Sequence, residues 1–157
     1  MTQDNEQNYI SWNPSFEIGI PLIDEQHKKL VSLCNKVYLS LLKSRKNGNE
    51  LIWESSLVEA LHECTAYVRT HLAEEEQLMK AAGYKDFISH KKMHETFIQK
   101  ILEMDNKFET VTIGDTIVFV KFLYEWIIQH IAYVDKQYVK SVALYLSDLN
   151  KKNSVLK

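Results

Sequence analysis

The sequence predicts an all-α protein that folds as an up-down-up-down antiparallel four-helix bundle. Glycine and proline are scarce, with 4 Gly and 2 Pro among 157 residues, and both prolines, Pro14 and Pro21, precede the first long periodic segment. Four segments then repeat apolar residues with the 3.6-residue period of an α-helix, and short polar stretches separate them. Long helices joined by short loops pack as antiparallel neighbours, which gives the bundle.

Turn signals in the sequence divide the chain into its four predicted helices. The polar stretch KSRKNGNE ends the first helix, Gly83 can terminate the second, and Thr112 or Asp115 can cap the fourth. The last residues, KKNSVLK, are typical of a frayed tail. The predicted helices cover roughly residues 23–42, 51–79, 86–108 and 112–149, and the predicted organisation is a polar arm in residues 1–11, one domain in residues 12–149 and a tail in residues 150–157.

Composition and charge exclude several classes of protein. The 19 basic and 21 acidic residues leave a net charge of −2 without a basic stripe, so we expect no nucleic-acid or membrane partner. The N-terminal stretch has no apolar signal-peptide core, and no apolar run approaches the roughly 18–20 residues that span a bilayer. Cys34 and Cys64 are too few for a disulfide framework and lie on apolar stripes, which predicts buried, unreactive thiols. We therefore expect a soluble, cytoplasmic protein, and we expect a monomer.

Helical geometry predicts which of three consecutive glutamates faces the core. A regular helix advances about 100° per residue, and on the second helix the apolar residues centre about 40° from His71. Glu75 falls in the middle of this face, whereas Glu74 and Glu76 lie about 100° to either side. Only Glu75 is therefore predicted to point inward. His62 falls on the opposite, solvent-facing side.

The histidines of the other three helices also lie on apolar faces. His27, His90, His94 and His130 each share a stripe with apolar residues, and counting from the hairpin turns places them and His71 at one level of the bundle. Burying five imidazoles and a carboxylate without partners costs several kcal/mol. Metal binding removes this cost, because imidazole and carboxylate are both good ligands for iron. A hydrogen-bonded polar network is the alternative interpretation.

Asp135 is the predicted seventh member of this set. It follows His130 by five residues, a spacing that places the two side chains about 140° apart on a regular α-helix. Either one side chain reaches in from the flank of the helix, or a π-bulge inserts an extra residue between them.

Four stretches of the chain together resemble one protein family. They are WNPSFEIGIPLIDEQHKKLVSLCN, HLAEEEQLMKAAGY, HKKMHETF and WIIQHIAYVDKQY. The succession of a single His, HxxxE, HxxxH and HxxxxD resembles the ligand pattern of the hemerythrins, most closely the bacterial single-domain ones. The likeness extends from Trp12 to Tyr138, so residues 12–149 are expected to be a hemerythrin-like domain.

The resemblance implies a centre of two iron ions bridged by an oxo or hydroxo group. Three histidines would hold one iron, two would hold the other, and two carboxylates would bridge the pair. The second iron would keep one open position for dioxygen. The implied ligands are His90, His94 and His130 for the first iron, His27 and His71 for the second, and Glu75 and Asp135 as bridges.

The function that the resemblance implies is reversible dioxygen binding by a carrier, storage or delivery protein rather than an enzyme, with an oxygen-consuming enzyme as a candidate recipient. An oxygen, redox or nitric oxide sensing module is one alternative. A di-iron oxidase or ferroxidase is another, although such sites usually favour carboxylates and Glu-x-x-His pairs. Reversible binding needs a pocket that excludes water. The apolar candidates for its lining are Ile23, Leu72, Phe97, Trp126 and Ile131.

Overall fold

The computed structural model describes residues 8–48 and 51–155. From Pro21 onward these residues are helical apart from short connections, and the described residues contain no β-strand. Four long helices, α1 to α4, pack as the predicted antiparallel bundle, and a short 3-10 turn at Pro14–Phe16 precedes them. Helix α1 spans Pro21–Asn47 and α3 spans Phe87–Asn106. The fold class predicted from the sequence is confirmed.

Helices α2 and α4 each contain a π-helical segment between two α-helical ones. Helix α2 covers residues 51–81 and consists of Leu51–Tyr67, the π-helical Val68–Leu72 and Ala73–Ala81. Helix α4 covers residues 113–155 and consists of Ile113–Glu125, the π-helical Trp126–Val134 and Lys136–Val155, with Asp135 between the last two. A π-helix closes its backbone hydrogen bonds over five residues instead of four, which changes the direction of the side chains that follow.

The helix ends follow local chemistry. Thr112 is the N-cap of α4, where its hydroxyl accepts a hydrogen bond from the Asp115 N–H at 3.1 Å while the Asp115 carboxylate accepts one from the Thr112 N–H at 2.9 Å. Both residues predicted as alternative caps therefore act together as one capping box. Gly48, with a φ of +62°, ends α1, a backbone conformation that glycine adopts without strain.

Two predicted helix ends are wrong. Helix α1 continues to Asn47, five residues past the predicted end, and α4 continues to Val155 instead of ending near residue 149. In both places the sequence is polar but contains no glycine or proline before the observed end, so nothing interrupts the backbone hydrogen bonds. The predicted ends were placed where the polar stretches begin, whereas α1 ends directly before Gly48.

The expectation that no apolar run is long enough to span a membrane is also corrected. Ile113–Val134 forms 22 residues that are long and apolar enough by length and composition. The same segment supplies Phe119, Leu123 and Ile127 to the centre of the bundle, where each is fully buried. The core helix of a bundle meets this criterion of length and hydropathy because the residues of its buried face raise its mean hydropathy.

The core consists of two apolar clusters with a layer of polar side chains between them. The larger cluster includes Leu30, Leu72, Phe97 and Ile131, and the smaller one lies towards the turn between α2 and α3. On every helix a histidine or acid separates the members of the two clusters along the sequence. The smaller cluster comprises Ile18, Ile23, Met79, Tyr84, Tyr138 and Val142.

Candidate metal centre

The π-helical segment of α4 brings Asp135 to the same side of the helix as His130. The Asp135 N–H donates a hydrogen bond to the His130 carbonyl at 2.9 Å, five residues back along the chain. The predicted π-bulge is thereby confirmed, and the alternative, in which one side chain reaches in from the flank of a regular helix, is not needed. Asp135 Oδ1 lies 3.0 Å from His130 Nε2.

The second π-helical segment, Val68–Leu72 in α2, was not predicted. It contains the predicted ligand His71 and ends three residues before Glu75, the other predicted ligand of that helix. Across it, Tyr67 turns into the core, where its ring stacks on the His71 ring with centroids 4.3 Å apart and planes inclined by 22°. Regular helical geometry places Tyr67 on the flank of the apolar face, which is why the sequence did not identify it.

All seven side chains predicted as ligands are buried in the polar layer. None of these side chains is more than 4% exposed. They form two groups, and within each group the possible ligand atoms all lie within 4.8 Å of one another. His62, predicted to face solvent, is exposed. The first group is Glu75, His90, His94, His130 and Asp135, and the second is His27, His71 and Glu75.

The two carboxylates stand between the two groups of histidines. Asp135 directs Oδ1 to His90 Nε2 at 3.3 Å and Oδ2 to His27 Nε2 at 3.4 Å. Glu75 Oε2 lies 3.4 Å from His71 Nε2 and 3.5 Å from His94 Nε2. Each carboxylate therefore faces a histidine of both groups, which is the arrangement required of a bridging ligand.

Buried atoms without hydrogen-bond partners show that this layer fits metal ions. Within the described residues, polar atoms of the layer are buried and unpaired on both carboxylates and on four of the five imidazoles. Unpaired buried polar atoms are costly, and cations would satisfy imidazole nitrogens and carboxylate oxygens at once. The unpaired atoms are His27 Nδ1 and Nε2, His71 Nε2, Glu75 Oε2, His90 Nδ1, His130 Nε2, and Asp135 Oδ1 and Oδ2.

The surroundings of the carboxylates favour their charged form. Burial by itself would raise the pKa of Asp135, but the charge of His130 and the close approach of the His130, His27 and His90 rings, 3.0–3.4 Å from the carboxylate, outweigh it and hold the pKa well below its usual range. Burial and the charge of Asp135 would likewise raise the Glu75 pKa, but the nearby His71 and His94 outweigh both and lower it overall. Ionised carboxylates are the form that binds metal.

The histidines of the layer differ in their preference for a proton. Burial, the largest effect at His130, lowers its pKa despite the nearby Asp135. At His94 burial also lowers the pKa, but the Glu75 carboxylate 3.5 Å away and the hydrogen-bonded Glu76 carboxylate outweigh it and raise the pKa overall. A neutral imidazole is the metal-binding form. At a given pH a larger fraction of His94 than of His130 therefore carries a proton that metal binding has to displace.

Glu74 and Gln26 orient His71 from outside the layer. His71 Nδ1 lies 2.7 Å from the Gln26 side-chain oxygen, and Gln26 Nε2 donates to Glu74 Oε2 at 2.8 Å. Since Nε2 of His71 faces Glu75, the Nδ1–H donates to Gln26 and the ring presents Nε2 to the centre of the layer.

Glu76 and Lys91 orient His94 in a similar way. His94 Nδ1 lies 3.1 Å from Glu76 Oε1, and Lys91 Nζ donates to Glu76 Oε2 at 2.9 Å. The partner of this histidine is a carboxylate rather than a neutral amide, and a carboxylate makes the imidazole a stronger electron donor. The prediction that Glu75 alone points inward is confirmed. Its two neighbours nevertheless help to orient histidines of the layer, Glu76 by direct contact with His94 and Glu74 through Gln26.

Tyr138 is a further residue of the site that the sequence analysis missed. It is fully buried, and its hydroxyl donates a hydrogen bond to Glu75 Oε1. This contact leaves Oε2 as the oxygen that faces the histidines. Its position three residues after Asp135, on the same face of α4, is the signal that could have identified it.

The apolar pocket candidates lie on both sides of the polar layer. Four of them belong to the larger cluster, but Ile23 belongs to the smaller one and is separated from the other four by the layer itself. The structure therefore does not bring Ile23 together with the others in one cluster. The four that belong to the larger cluster are Leu72, Phe97, Trp126 and Ile131, all buried.

Comparisons with known proteins agree with this geometry. A family model described as the hemerythrin HHE cation binding domain matches residues 18–142. The bacteriohemerythrin of Pseudomonas paraeruginosa is 33% identical over 147 residues, which cover 93% of this chain and 90% of the relative. That of Clostridium acetobutylicum is 33% identical over 130 residues, which cover 82% of this chain and 97% of the relative. A crystal structure of a hemerythrin point mutant is similar with a TM-score of 0.67 at 26% identity, and the match covers 87% of this chain and 98% of that one.

Proposed function

Because the chain belongs to the hemerythrin family, we propose that its polar layer holds two iron ions and that the protein binds dioxygen reversibly there. The observation that carries the proposal is the pair of carboxylates between two unequal groups of imidazoles. Three histidines lie on one side of Glu75 and Asp135 and two on the other. Such a site can bind two ions and gives one of them fewer protein ligands than the other.

The ligand assignment follows from the contacts in the layer. We assign His90, His94 and His130 to one iron and His27 and His71 to the other, with Glu75 and Asp135 between them. When bound, a pair of ferrous ions would supply two electrons to dioxygen and an open coordination position on the ion with two histidines. Five imidazoles and two carboxylates form a donor set with more nitrogen than the carboxylate-rich sites of di-iron oxidases.

The surrounding residues support reversible binding over irreversible oxidation. The larger apolar cluster covers the layer on the side of Leu72, Phe97 and Ile131, each at most 2% exposed. Exclusion of water removes proton donors that would otherwise promote the release of reduced dioxygen as peroxide. We therefore propose a carrier, storage or delivery protein and not an enzyme.

The outer hydrogen bonds have the role of holding the ligands in place. Gln26 and Glu76 fix the orientations of His71 and His94, and Tyr138 fixes that of Glu75. Ligands that are held before the metal arrives lose less conformational freedom on binding it.

One experiment tests the proposal directly. The purified protein is loaded with iron, reduced without air, exposed to oxygen, and then returned to an oxygen-free atmosphere while its visible spectrum is recorded. We expect two irons per chain and a visible band that appears with oxygen and disappears without it. Irreversible oxidation with release of peroxide would point instead to an oxidase or a sensor, and a protein that binds no iron would refute the proposal.

Two variants show whether the assigned residues are responsible. His71→Ala removes a buried imidazole of the layer and should lower the iron content strongly. His62→Ala removes an exposed histidine of the same helix and should leave the iron content unchanged. Equal effects of the two variants would refute the ligand assignment.

A further inference from the structure

One buried hydroxyl lies in the apolar cluster beside the candidate metal centre without a partner. The Tyr67 side chain is 8% exposed, and its hydroxyl is the only one among the buried, unpaired side-chain atoms in residues 8–48 and 51–155. Tyr138, another buried tyrosine next to the layer, donates its hydrogen bond to Glu75. Buried hydroxyls normally find a partner, so an unpaired one beside a binding site is informative.

The position of Tyr67 is set by the π-helical segment of α2. Its ring lies nearly parallel to that of His71 at 4.3 Å and packs against Phe97 with centroids 5.9 Å apart. His71 belongs to the group with two histidines, the side of the layer that has fewer protein ligands. Tyr67 also belongs to the larger apolar cluster, together with four of the five predicted pocket residues. It is thus on the side of the layer where a small ligand would be enclosed.

The chemistry around Tyr67 leaves its proton available to such a ligand. Its neighbours in the cluster are aliphatic and aromatic side chains that offer no strong acceptor. The indole N–H of Trp126 is close enough to the Tyr67 hydroxyl to act on its pKa as a hydrogen-bond donor, but an indole N–H cannot accept the proton of the hydroxyl. The indole nitrogens of Trp12 and Trp53 are buried without a partner as well, so an unpaired indole does not by itself mark a binding site.

We propose that the Tyr67 hydroxyl donates a hydrogen bond to the small ligand bound beside His71. It is then a specificity-determining residue, which favours ligands whose outer atom accepts a hydrogen bond, such as a small anion or a polarised diatomic molecule, over equally small ligands that do not. This role rests on the proposed function, because it requires a ligand at the metal centre. It adds a polar contact to a pocket whose other predicted lining is apolar.

Azide is the probe that tests the role, because it binds ferric iron and its outer nitrogen accepts hydrogen bonds. The oxidised, iron-loaded protein is titrated with azide, and the N–N stretching frequency of the bound azide is recorded by vibrational spectroscopy in H2O and D2O. We expect a frequency shift between the two solvents in the natural protein. We expect Tyr67→Phe to abolish this shift and to weaken azide binding roughly 10–100-fold, the effect of one hydrogen bond to a charged acceptor.

Tyr84→Phe is the matched control. Tyr84 is also buried but belongs to the smaller cluster on the opposite side of the layer, so this variant should keep the affinity and the solvent shift. Thermal unfolding of the metal-free Tyr67→Phe protein gives an independent readout. Because the proton of the hydroxyl has no acceptor in the cluster, removal of the hydroxyl should leave the Tm nearly unchanged.

The possible outcomes separate this inference from the proposed function. Equal azide affinities in the natural protein and Tyr67→Phe, or no solvent shift in the natural protein, would overturn the role of Tyr67 and leave the metal centre intact. A natural protein that binds no iron would overturn both. If Tyr67→Phe did not fold, that result would contradict an unpaired hydroxyl, and the solvent shift of the natural protein would still decide the hydrogen bond to the ligand.

Discussion

The Tyr138 hydroxyl donates a hydrogen bond to Glu75 Oε1 between two helices, although 63 residues separate the two side chains in the sequence. Glu75 consequently has one oxygen that is held by the protein and one, Oε2, that faces His71 and His94. A carboxylate rotated about its last bond would lose this division. Tyr138 therefore decides which oxygen is offered to a metal ion.

Replacing Tyr138 by phenylalanine should weaken the metal centre and the bundle. We expect roughly 10–100-fold weaker iron binding, the usual effect of removing a partner that orients a ligand, and about 1–3 kcal/mol lower stability of the metal-free protein, because Oε1 stays buried without a donor. Metal titration and urea unfolding measure the two effects. Tyr133→Phe removes a hydroxyl from a residue that is 69% exposed on the same helix and should change neither quantity.

Replacing Glu76 by glutamine should change both the affinity and the pH dependence of metal binding. The carboxylate of Glu76 contributes to the raised pKa of His94, and a protonated His94 cannot bind metal. In the natural protein binding therefore increases as the pH rises through the His94 pKa. Glu76→Gln lowers that pKa, so the midpoint of binding against pH should move to lower pH, while the affinity at high pH falls roughly 10-fold or more.

Glu63→Gln is the control for this change, because Glu63 is an exposed glutamate of the same helix. Its midpoint and affinity should match those of the natural protein. A Glu76→Gln midpoint that stays in place or moves to higher pH would show that the proton on His94 does not compete with metal.

Deleting Tyr133 tests the π-helical segment of α4. The deletion shortens the interval from His130 to Asp135 to four residues, which a regular α-helix places on one face. Because Tyr133 is largely exposed, we expect the shortened protein to fold and to keep two metal ions per chain, with the regular helix visible in a crystal structure. Loss of metal binding would mean that the π-helical backbone itself is required.

Deleting Lys121 is the matched comparison, since this exposed residue lies in the regular part of α4. Nothing compensates there for a missing residue, so the deletion rotates Phe119 and Val120 by about 100° relative to the site. We expect that variant to lose cooperative unfolding or metal binding, measured under the same conditions.

The two cysteines should be unreactive in the folded protein. Burial raises the pKa of both the Cys34 and the Cys64 thiol to about 12, so almost no thiolate is present at pH 8. A thiol reagent at this pH should modify both residues only after unfolding in guanidinium. Ser32→Cys places a thiol at an exposed position of α1 and should react rapidly in the folded protein. Fast modification of the natural protein would contradict the burial.

The same shift predicts a loss of stability at alkaline pH. The thiols keep their protons in the folded protein up to a pH of about 12, whereas unfolding returns their pKa to near 9. Between these values the folded state binds more protons than the unfolded one, so the free energy of unfolding falls as the pH rises. Cys34→Ala should reduce this fall above pH 9 when urea unfolding is followed from pH 7 to 11, and an unchanged curve would contradict the shift.

The helical periodicity of apolar residues was sufficient to predict which side chains reach the polar layer, because the spacing of apolar residues identifies the buried face of a helix. Glu75 was separated from Glu74 and Glu76 on this basis alone, and His62 was excluded. The one irregularity that could be anticipated was in α4, where two residues expected in one site stood five positions apart. In α2 the ligands are four positions apart, so nothing in their spacing indicated the π-helical segment that turns Tyr67 inward.

The outer contacts could not be predicted from the same pattern. Gln26, Glu74 and Glu76 lie on helix flanks, where polar residues usually face solvent, and their partners are on other helices. Their roles depend on distances between helices, which the sequence of one helix does not contain. For a related reason the sequence could not show which of the two apolar clusters contains Ile23, since its apolar character says nothing about which side of the polar layer it occupies.

The layer of imidazoles and carboxylates separates the larger apolar cluster from the smaller one, so apolar contacts are not continuous through the core. If the layer binds two iron ions as proposed, the newly synthesised chain would complete this part of its core only when they bind, and their binding energy would contribute to folding. The amount of intact protein should then follow the supply of iron. A cell short of iron would lose this protein to proteolysis of its opened form as well as losing its bound metal.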